Sequence, residues 1–294
     1  MQIRRPTTAF ITPMEDSRRW ESIALRDGDI LVSTPPKCGT TWTQGIVHSL
    51  LWPDGDAPGD FSRLSPWIDV RFEPIETVAA TAEAQPHRRF LKTHSPADAT
   101  PFADTVRYLA VYRSAPDALV SWGNHRAKMR PVVVEGLNAA ASADGVAPMP
   151  TSWDGDYDTL FEEWSKYCSP VRHLASWWPL RDEPNVLLLH YADLLADLEG
   201  EMRRIAGFLG LDIAEELWDQ VVERCRLDSM REAARGSRFL QAAFDGGADS
   251  FFHKGENDRG RQLLTEAQLD RVARHVQEGL PPDAAAWLEA GGRS

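Results

Sequence analysis

The chain has 294 residues and a formal net charge of −12. This length is enough to bury a substantial core, in one large α/β domain or two small ones. The acidic balance argues against nonspecific binding to nucleic acid or to an anionic membrane surface, since both require a basic face. No apolar run approaches the length needed to span a bilayer, so we expect no stable membrane insertion.

The cysteines and the first residues bear on the compartment. The spacing of Cys38, Cys168 and Cys225 is not typical of a zinc site or of a disulfide framework, so we predict no metal and a reducing environment. The segment Met1-Gln2-Ile3-Arg4-Arg5-Pro6 lacks the apolar run of a signal peptide. We therefore expect a cytoplasmic protein.

Short apolar runs alternate with helical patterns along the chain. The runs predict buried parallel strands at Ile30–Ser33, Phe90–Lys92, Tyr108–Tyr112 and Val186–His190. Helices are predicted after the first run, over Leu194–Leu209 with a stop at Gly210, and finally from Thr265, where Gln268 completes a capping box. This alternation predicts one α/β domain over residues 1–294, with a central parallel sheet flanked by helices on both faces.

The segment 130–158 differs from the rest because it is rich in Ala, Gly, Pro and Asp. A long irregular segment inside a compact domain is usually a lid, a binding loop or disordered. We interpret it as a flexible flap or an insertion, and favour a flap that covers a substrate.

The residues after the first predicted strand have the chemistry of a phosphate cradle. They read Pro35-Pro36-Lys37-Cys38-Gly39-Thr40-Thr41-Trp42 and lead into a helix, whose N-terminus offers unpaired N–H groups and a partial positive charge. Gly39 allows close approach of the backbone, Lys37 adds a charge, and two threonines add hydroxyls. An ATP-binding loop instead places its Lys directly before Ser or Thr.

The second predicted strand ends in Lys92-Thr93-His94. A neutral His at a strand's carboxyl end can accept a proton, and a Lys beside it can stabilise charge on a leaving group. A Lys-x-His taken alone is weak, because a lone His is more often a structural residue. The third strand ends in Arg113, with Ser121 eight residues further on. Arg suits bidentate recognition of phosphate.

The order of these three motifs resembles that of PAPS-dependent sulfotransferases of the cytosolic type, and the chain looks like a bacterial member of that family. These enzymes move a sulfuryl group from 3′-phosphoadenosine 5′-phosphosulfate (PAPS) to an acceptor and release 3′-phosphoadenosine 5′-phosphate (PAP). The resemblance runs from about residue 26 to 277 and implies a P-loop-like fold with in-line transfer. It makes His94 the general base, with Lys37 and Lys92 assisting.

The resemblance also implies a set of donor-binding residues. Those around the 5′-phosphate are Lys37, Cys38, Gly39, Thr40 and Thr41, with Cys38 holding the turn. Those around the 3′-phosphate are Arg113, Ser121, His253, Lys254 and Gly255. Those around the adenine are Trp42, Tyr191, Cys225 and Leu227. The chain departs from the family at His253, where an Arg is usual, and at Gly260, where a Trp is usual. The shorter and only partly charged His implies weaker or pH-dependent 3′-phosphate binding, unless Arg259 or Arg261 compensates.

Two other functions stay open at this point. A P-loop kinase-like enzyme would need an acid for Mg²⁺, and Asp193 is the candidate. A non-catalytic PAP-binding homologue is suggested by His253 and Gly260. If the chain is a sulfotransferase, we expect a small, hydrophobic alcohol, phenol or glycolipid as the acceptor. Aromatic residues that either line its cleft or pack in the core are Trp67, Phe72, Trp122, Trp153, Phe161, Trp164 and Trp177.

Overall fold

The computed structural model describes residues 2–252 and 255–293. Its strands are β1 (Ile3–Arg4), β2 (Ile30–Ser33), β3 (Phe90–Thr93), β4 (Phe102–Ala103), β5 (Arg107–Tyr112) and β6 (Val186–His190). A central parallel sheet has the spatial order β3-β2-β5-β6, while β1 and β4 pair antiparallel. The predicted strands and fold class are therefore confirmed.

The sheet is buried on both faces, which explains its almost continuous apolar strands. Side chains alternate between two cores: Leu31 points into one, whereas Ile30 and Val32 point into the other. In the register of the sheet, Ser33 lies opposite Thr93 on one side and Ala110 on the other. The ends of β2, β3 and β5 therefore lie at one edge.

The helices cover both faces of this sheet. They are α1 (Thr40–Leu51), α2 (Phe61–Leu64), α3 (Ile75–Glu83), α4 (Ala115–Lys128), α5 (Pro131–Ala141), α6 (Tyr157–Tyr167), α7 (Pro170–Trp177), α8 (Tyr191–Ala196), α9 (Leu198–Leu209), α10 (Trp218–Arg224), α11 (Leu227–Ala234), α12 (Arg238–Ala243), α13 (Gly247–Phe251), α14 (Arg259–Leu263), α15 (Glu266–Gly279) and α16 (Pro282–Ala290). Across residues 2–252 and 255–293, no helix is long and apolar enough to cross a membrane.

Successive strands are added on opposite sides of β2. The chain runs from β2 out to β3 on one side, and then returns to β5 on the other side. Ligands of open α/β sheets bind beyond the carboxyl ends of the strands at such a switch point. The segments that follow β2, β3 and β5 carry the sequence motifs, so the topology brings all three together.

Two helix predictions need correction. The pattern over Leu194–Leu209 is two helices, because Asp197 breaks the first and its carboxylate caps α9 by accepting from the Gly200 N–H. Gly210 ends α9 in a left-handed conformation, as predicted. The capping box of Thr265 and Gln268 is confirmed at the start of α15, but α16 follows it, so α15 is not the last helix.

Part of the segment 130–158 is helical, contrary to the prediction of irregular structure. Helix α5 begins at Pro131, a residue suited to the first helical position. It buries Val134, Leu137 and Ala141, which recur at helical spacing on one face. The amino-acid composition of the segment did not reveal this apolar face, because the alanines and glycines around it suggested a loop. The role of the segment as a flap stays a prediction.

Candidate active site

A cavity of about 770 Å³ opens at the carboxyl ends of the central strands. It brings together most of the predicted site residues, which come from six separate segments of the chain. Those that line it are Lys37, Gly39, Thr40, Thr41, Trp42, Lys92, His94, Arg113, Ser121, Tyr191, Leu227 and Gly255. His253 and Lys254 lie outside the described residues.

The cradle after β2 depends on two left-handed backbone positions. Lys37 has φ 66° and Gly39 has φ 115°. Glycine suits this φ, and a Cβ on Gly39 would also lie only 3.2 Å from Tyr191 Cδ2. Gly39 is the N-cap of α1, and no side chain of the described residues caps this helix end. Its first N–H groups are therefore available to an anion.

Cys38 supports the cradle from beneath. Its side chain is fully buried in the core and does not line the cavity. Burial raises the pKa of the Cys38 thiol to about 12, so the group is a neutral thiol at pH 7. Its N–H donates to the Pro35 carbonyl at 3.4 Å, which agrees with its predicted role in holding the turn.

His94 lies at the end of β3 with one defined tautomer. Its Nδ1 is 2.5 Å from the Thr34 carbonyl oxygen, which can only accept, so Nδ1 carries the hydrogen. Nε2 of the neutral ring is then a hydrogen-bond acceptor. Burial, and next the charge of Lys92, holds the pKa of His94 well below its usual 6.5. The ring is therefore neutral at pH 7 and able to take a proton.

Asp69 fixes the loop that carries His94, and sequence reasoning missed it. Its Oδ2 accepts from the Thr93 hydroxyl at 2.5 Å, the His94 N–H at 3.2 Å, and the N–H and hydroxyl of Ser95 at 3.1 and 2.6 Å. Asp69 stands in the unremarkable run Trp67-Ile68-Asp69-Val70. It precedes the loop by more than twenty residues, so no local pattern pointed to it.

Lys92 lies under the same loop and faces the cavity. Its Nζ is 3.5 Å from the centroid of the Trp67 ring, a close cation–π contact. Burial lowers the pKa of Lys92 to about 7, although the carboxylates of Asp69 and Glu15 favour its charged form. A bound anion would favour the charged form further.

Lys37 extends from the cradle towards a histidine that sequence reasoning missed. Its Nζ is 3.3 Å from Nδ1 of His125 and 4.7 Å from the centroid of Phe251. Burial lowers the pKa of Lys37 to about 8, which leaves it mostly charged at pH 7. His125 stands four residues after Ser121 on α4, so the two share one helix face. That spacing was a usable signal.

One nitrogen of Arg113 has no hydrogen-bond partner among the described residues. Its guanidinium lies 4.4 Å over the Tyr191 ring, and Nη2 donates to the Glu256 carbonyl. Nη2 is also 3.6 Å from the Asp117 carboxylate. Among the described residues, its buried Nε has no hydrogen-bond partner. A buried donor of this kind fits an anionic ligand, because leaving it unpaired is costly.

Asp117 fastens the segment that starts at Asp258 against α4. Its carboxylate accepts from the N–H groups of Asp258 at 3.0 Å and Gly260 at 2.7 Å. A Cβ on Gly260 would lie 2.4 Å from Pro116 Cβ and 2.5 Å from the Pro116 carbonyl carbon. This contact explains the departure from Trp at position 260, since α14 packs too closely on α4 for any side chain.

The predicted adenine-binding residues are only partly at the cavity. Trp42 and Tyr191 line it, with ring centroids 5.1 Å apart in an edge-on contact. The Trp42 indole N–H donates to the Cys225 carbonyl at 2.8 Å. The Cys225 side chain is buried away from the cavity, so its backbone, which orients Trp42, is the part of this residue that serves the site.

The aromatic residues separate into two groups. Trp67, Phe72 and Trp122 line the cavity. The remaining candidates do not line it; they pack elsewhere and are Trp153, Phe161, Trp164 and Trp177. Sequence reasoning missed further aromatic lining from the later helices, namely Phe239, Phe244, Phe251 and Phe252.

Asp193, the acid that a kinase would need, is engaged elsewhere. Its two carboxylate oxygens accept from the Gly292 N–H at 3.1 and 2.9 Å. It does not line the cavity. The kinase-like alternative therefore loses its acidic candidate.

Comparison with known proteins decides the family. The family model of the sulfotransferase domain matches residues 27–282. The chain belongs to the sulfotransferase family. A glycolipid sulfotransferase of Mycobacterium bovis is 35% identical over 95% of this chain and 93% of its own length. Human sulfotransferase 1C2 is 27% identical over 88% of this chain and 86% of its own. The predicted enzyme class is thus confirmed.

Solved structures of sulfotransferases share the fold. A mouse sulfotransferase complexed with PAP superposes with a TM-score of 0.73 at 17% identity, covering 97% of this chain and 98% of its own. Retinol dehydratase in complex with androsterone and PAP gives a TM-score of 0.71 at 20% identity, covering 92% and 87%. The predicted P-loop-like fold of this sulfotransferase is confirmed.

The close packing of Gly260 predicts a stability effect. Gly260→Ala should lower the free energy of unfolding by about 1–3 kcal/mol, because the new methyl group overlaps Pro116. The matched control is Gly207→Ala in α9, where an added Cβ meets nothing within 4 Å. Alanine there should stabilise by up to about 1 kcal/mol through helix propensity. Urea denaturation measures both, and equal effects would contradict the packing argument.

Proposed function

We propose that this sulfotransferase transfers the sulfuryl group of PAPS to a hydroxyl of a hydrophobic acceptor, with His94 as the general base. The observation that carries the proposal is the tautomer of His94. Its Nδ1–H is held by the Thr34 carbonyl, so its Nε2 is the proton acceptor in the cavity that the cradle also lines. General base catalysis requires a neutral imidazole, and burial supplies it.

The residues of the cavity fit PAPS, which supplies the sulfuryl group. The first N–H groups of α1, with Lys37 and the two threonine hydroxyls, suit the 5′-phosphate. The buried, unpartnered Nε of Arg113 suits the 3′-phosphate, with Ser121 and Gly255 beside it. We assign the adenine to the space between Trp42, Tyr191 and Leu227. His253 and Lys254 keep their predicted role at the 3′-phosphate.

Two lysines would stabilise the negative charge that develops during in-line transfer. Lys37 extends from the cradle and Lys92 lies beside His94, so both reach the cavity near the proposed leaving group. Burial lowers the pKa of each, to about 8 and about 7. A buried ammonium interacts strongly with an anion because little water screens it. We propose that they stabilise the bridging oxygen as the bond to sulfur breaks.

The acceptor side of the cavity supports a hydrophobic substrate. Phe72 and Phe239 stack with ring centroids 5.2 Å apart, yet they are 44% and 48% exposed. Exposed aromatic pairs at a cavity commonly mark a binding surface. Val133 and Leu137 of α5 line the same cavity, and we propose that this helix is the ordered part of the flap. An apolar acceptor also agrees with the relative named as a glycolipid sulfotransferase.

The state of the cysteines supports a proposed compartment. Cys38, Cys168 and Cys225 are all free and buried. Unpaired thiols are typical of a reducing environment. We propose that the protein acts in the cytoplasm, on acceptors small enough to enter a cavity of about 770 Å³.

The role of His94 is tested by separating turnover from PAP binding. His94→Ala should lower kcat by about 10²-fold or more, because a general base contributes that much. The dissociation constant of PAP should change less than about twofold, since His94 is uncharged and lies outside the cradle. PAP release from PAPS with 4-octylphenol as the acceptor measures the first quantity, and isothermal titration calorimetry measures the second.

His48→Gln is the matched control for this experiment. His48 lies on α1, and its Nε2 contacts the Gly59 carbonyl at 2.9 Å rather than the cavity. It should leave kcat unchanged within about twofold, because this half-buried ring lies away from the cavity and glutamine can keep a polar contact with the Gly59 carbonyl. Retention of full turnover in His94→Ala would show that His94 is not the base.

The exposed Phe72–Phe239 pair predicts chain-length selectivity. The double variant Phe72→Ala, Phe239→Ala should lower kcat/KM for 4-octylphenol by about tenfold or more, because apolar contact worth about 0.8 kcal/mol per methylene is lost. Phenol, which has the same reactive hydroxyl and no chain, should be affected less than about twofold. The control is Val132→Ala, at an exposed valine that does not line the cavity. Equal losses with both phenols would contradict this assignment.

A further inference from the structure

His125 is a polar side chain set in an aromatic wall of the cavity. Its ring stacks on Trp122 at 5.3 Å with an interplanar angle of 25°. It also contacts the ring of Phe244 at 4.7 Å and that of Phe251 at 6.0 Å. Apolar pockets use a few polar groups of this kind to orient a ligand. The donor cradle does not include His125.

The contact with Lys37 fixes the tautomer of His125. An ammonium has only donors, so Nδ1 of His125, 3.3 Å from Lys37 Nζ, must accept. Burial, and then the charge of Lys37, holds the pKa of His125 well below its usual 6.5, so the ring is neutral. Nε2 of His125 therefore carries the hydrogen. Within residues 2–252 and 255–293, the hydrogen bond found for the His125 side chain is the one with Lys37, and it engages Nδ1 only.

The cavity thus contains two imidazoles of opposite polarity. Nε2 of His94 accepts, because Nδ1 donates to the Thr34 carbonyl. Nε2 of His125 donates, because Nδ1 accepts from Lys37. Both residues line one cavity. A ligand that satisfies both must present a hydroxyl hydrogen to one ring and an oxygen lone pair to the other.

We propose that His125 is a specificity-determining residue that binds a second oxygen of the acceptor, so that the preferred substrates are polyols or sugars on an apolar body. This inference rests on the proposed function, since it assigns the first hydroxyl to His94. The aromatic wall around His125 suits the apolar body, and the imidazole N–H is its hydrogen-bond donor. An acceptor whose single oxygen bonds to His94 forgoes the hydrogen bond that a second oxygen would accept from His125.

Other roles for His125 would have different signatures. If it contacted the sulfuryl group, or served only to hold Lys37, its loss would affect every acceptor equally. If it only packed, a phenylalanine of similar shape would replace it without consequence. Recognition of a second oxygen changes the ratio between two acceptors that differ in that oxygen alone. The ratio is therefore the quantity to measure.

The probes are 1-octanol and 1,2-octanediol, which share the chain and the primary hydroxyl. Their dissociation constants are measured by tryptophan fluorescence with the wild type and with His125→Phe, each with and without saturating PAP. We expect the wild type to bind the diol about fivefold more tightly than the alcohol, as for one net hydrogen bond. In His125→Phe this preference should vanish. Asn124→Ala, a neighbouring polar residue of the same cavity, should retain it.

The outcomes separate this proposal from the proposed function. Loss of the preference in His125→Phe alone supports the assignment. An unchanged preference in His125→Phe, no preference in the wild type, or loss of the preference in Asn124→Ala instead, would overturn it. Failure of PAP to bind the wild type would contradict the proposed sulfuryl transfer, while the ratio measured without PAP still decides the role of His125.

Discussion

One hydrogen bond joins the two halves of the proposed chemistry. The Thr34 carbonyl, at the exit of β2, accepts from Nδ1 of His94, at the exit of β3. The parallel pairing of Ser33 with Thr93 sets these exits side by side. The backbone that leads into the proposed phosphate cradle therefore selects the tautomer and the orientation of His94, the proposed base. The cradle and the base cannot shift independently without breaking this contact.

The backbone of His94, the proposed base, is held by hydrogen bonds as well. A single oxygen of Asp69 accepts hydrogen bonds from four donors of the Thr93-His94-Ser95 loop. His94 is thus fixed through its ring on one side and through its backbone on the other. A general base is effective only when it is positioned within hydrogen-bond reach of the proton it removes. In this fold, sheet register supplies that position and a buried carboxylate secures it.

The electrostatics of the cavity oppose those of the whole chain. The net charge is −12, yet the cavity concentrates Lys37, Lys92 and Arg113. Burial lowers the pKa of both lysines because the charged ammonium is desolvated there, and the charge of Arg113 lowers that of Lys37 further. A bound polyanion would favour the charged forms. Charge within the cavity, rather than overall charge, therefore points to a nucleotide ligand.

Local motifs were predictable from sequence and distant supports were not. The cradle, the strand ends and the capping box of Thr265 each depend on a few consecutive residues, so their patterns are visible in the chain. Asp69 holds the loop at the end of β3 from a segment more than twenty residues earlier in the chain, and the use of the Cys225 carbonyl rather than its side chain depends on packing. The contact of Gly260 with Pro116 joins α14 to α4. Such contacts exist only once the topology is formed.

The most direct test of the account is thermal unfolding with PAP, 5′-AMP and Mg-ATP, each at saturating concentration. A ligand at about a hundred times its dissociation constant adds roughly 2.7 kcal/mol of stability, which raises Tm by several degrees for a chain of this size. The account predicts that PAP gives the largest shift, and that Arg113→Met removes the advantage of PAP over 5′-AMP. A larger shift with Mg-ATP, or no shift with PAP, would contradict it.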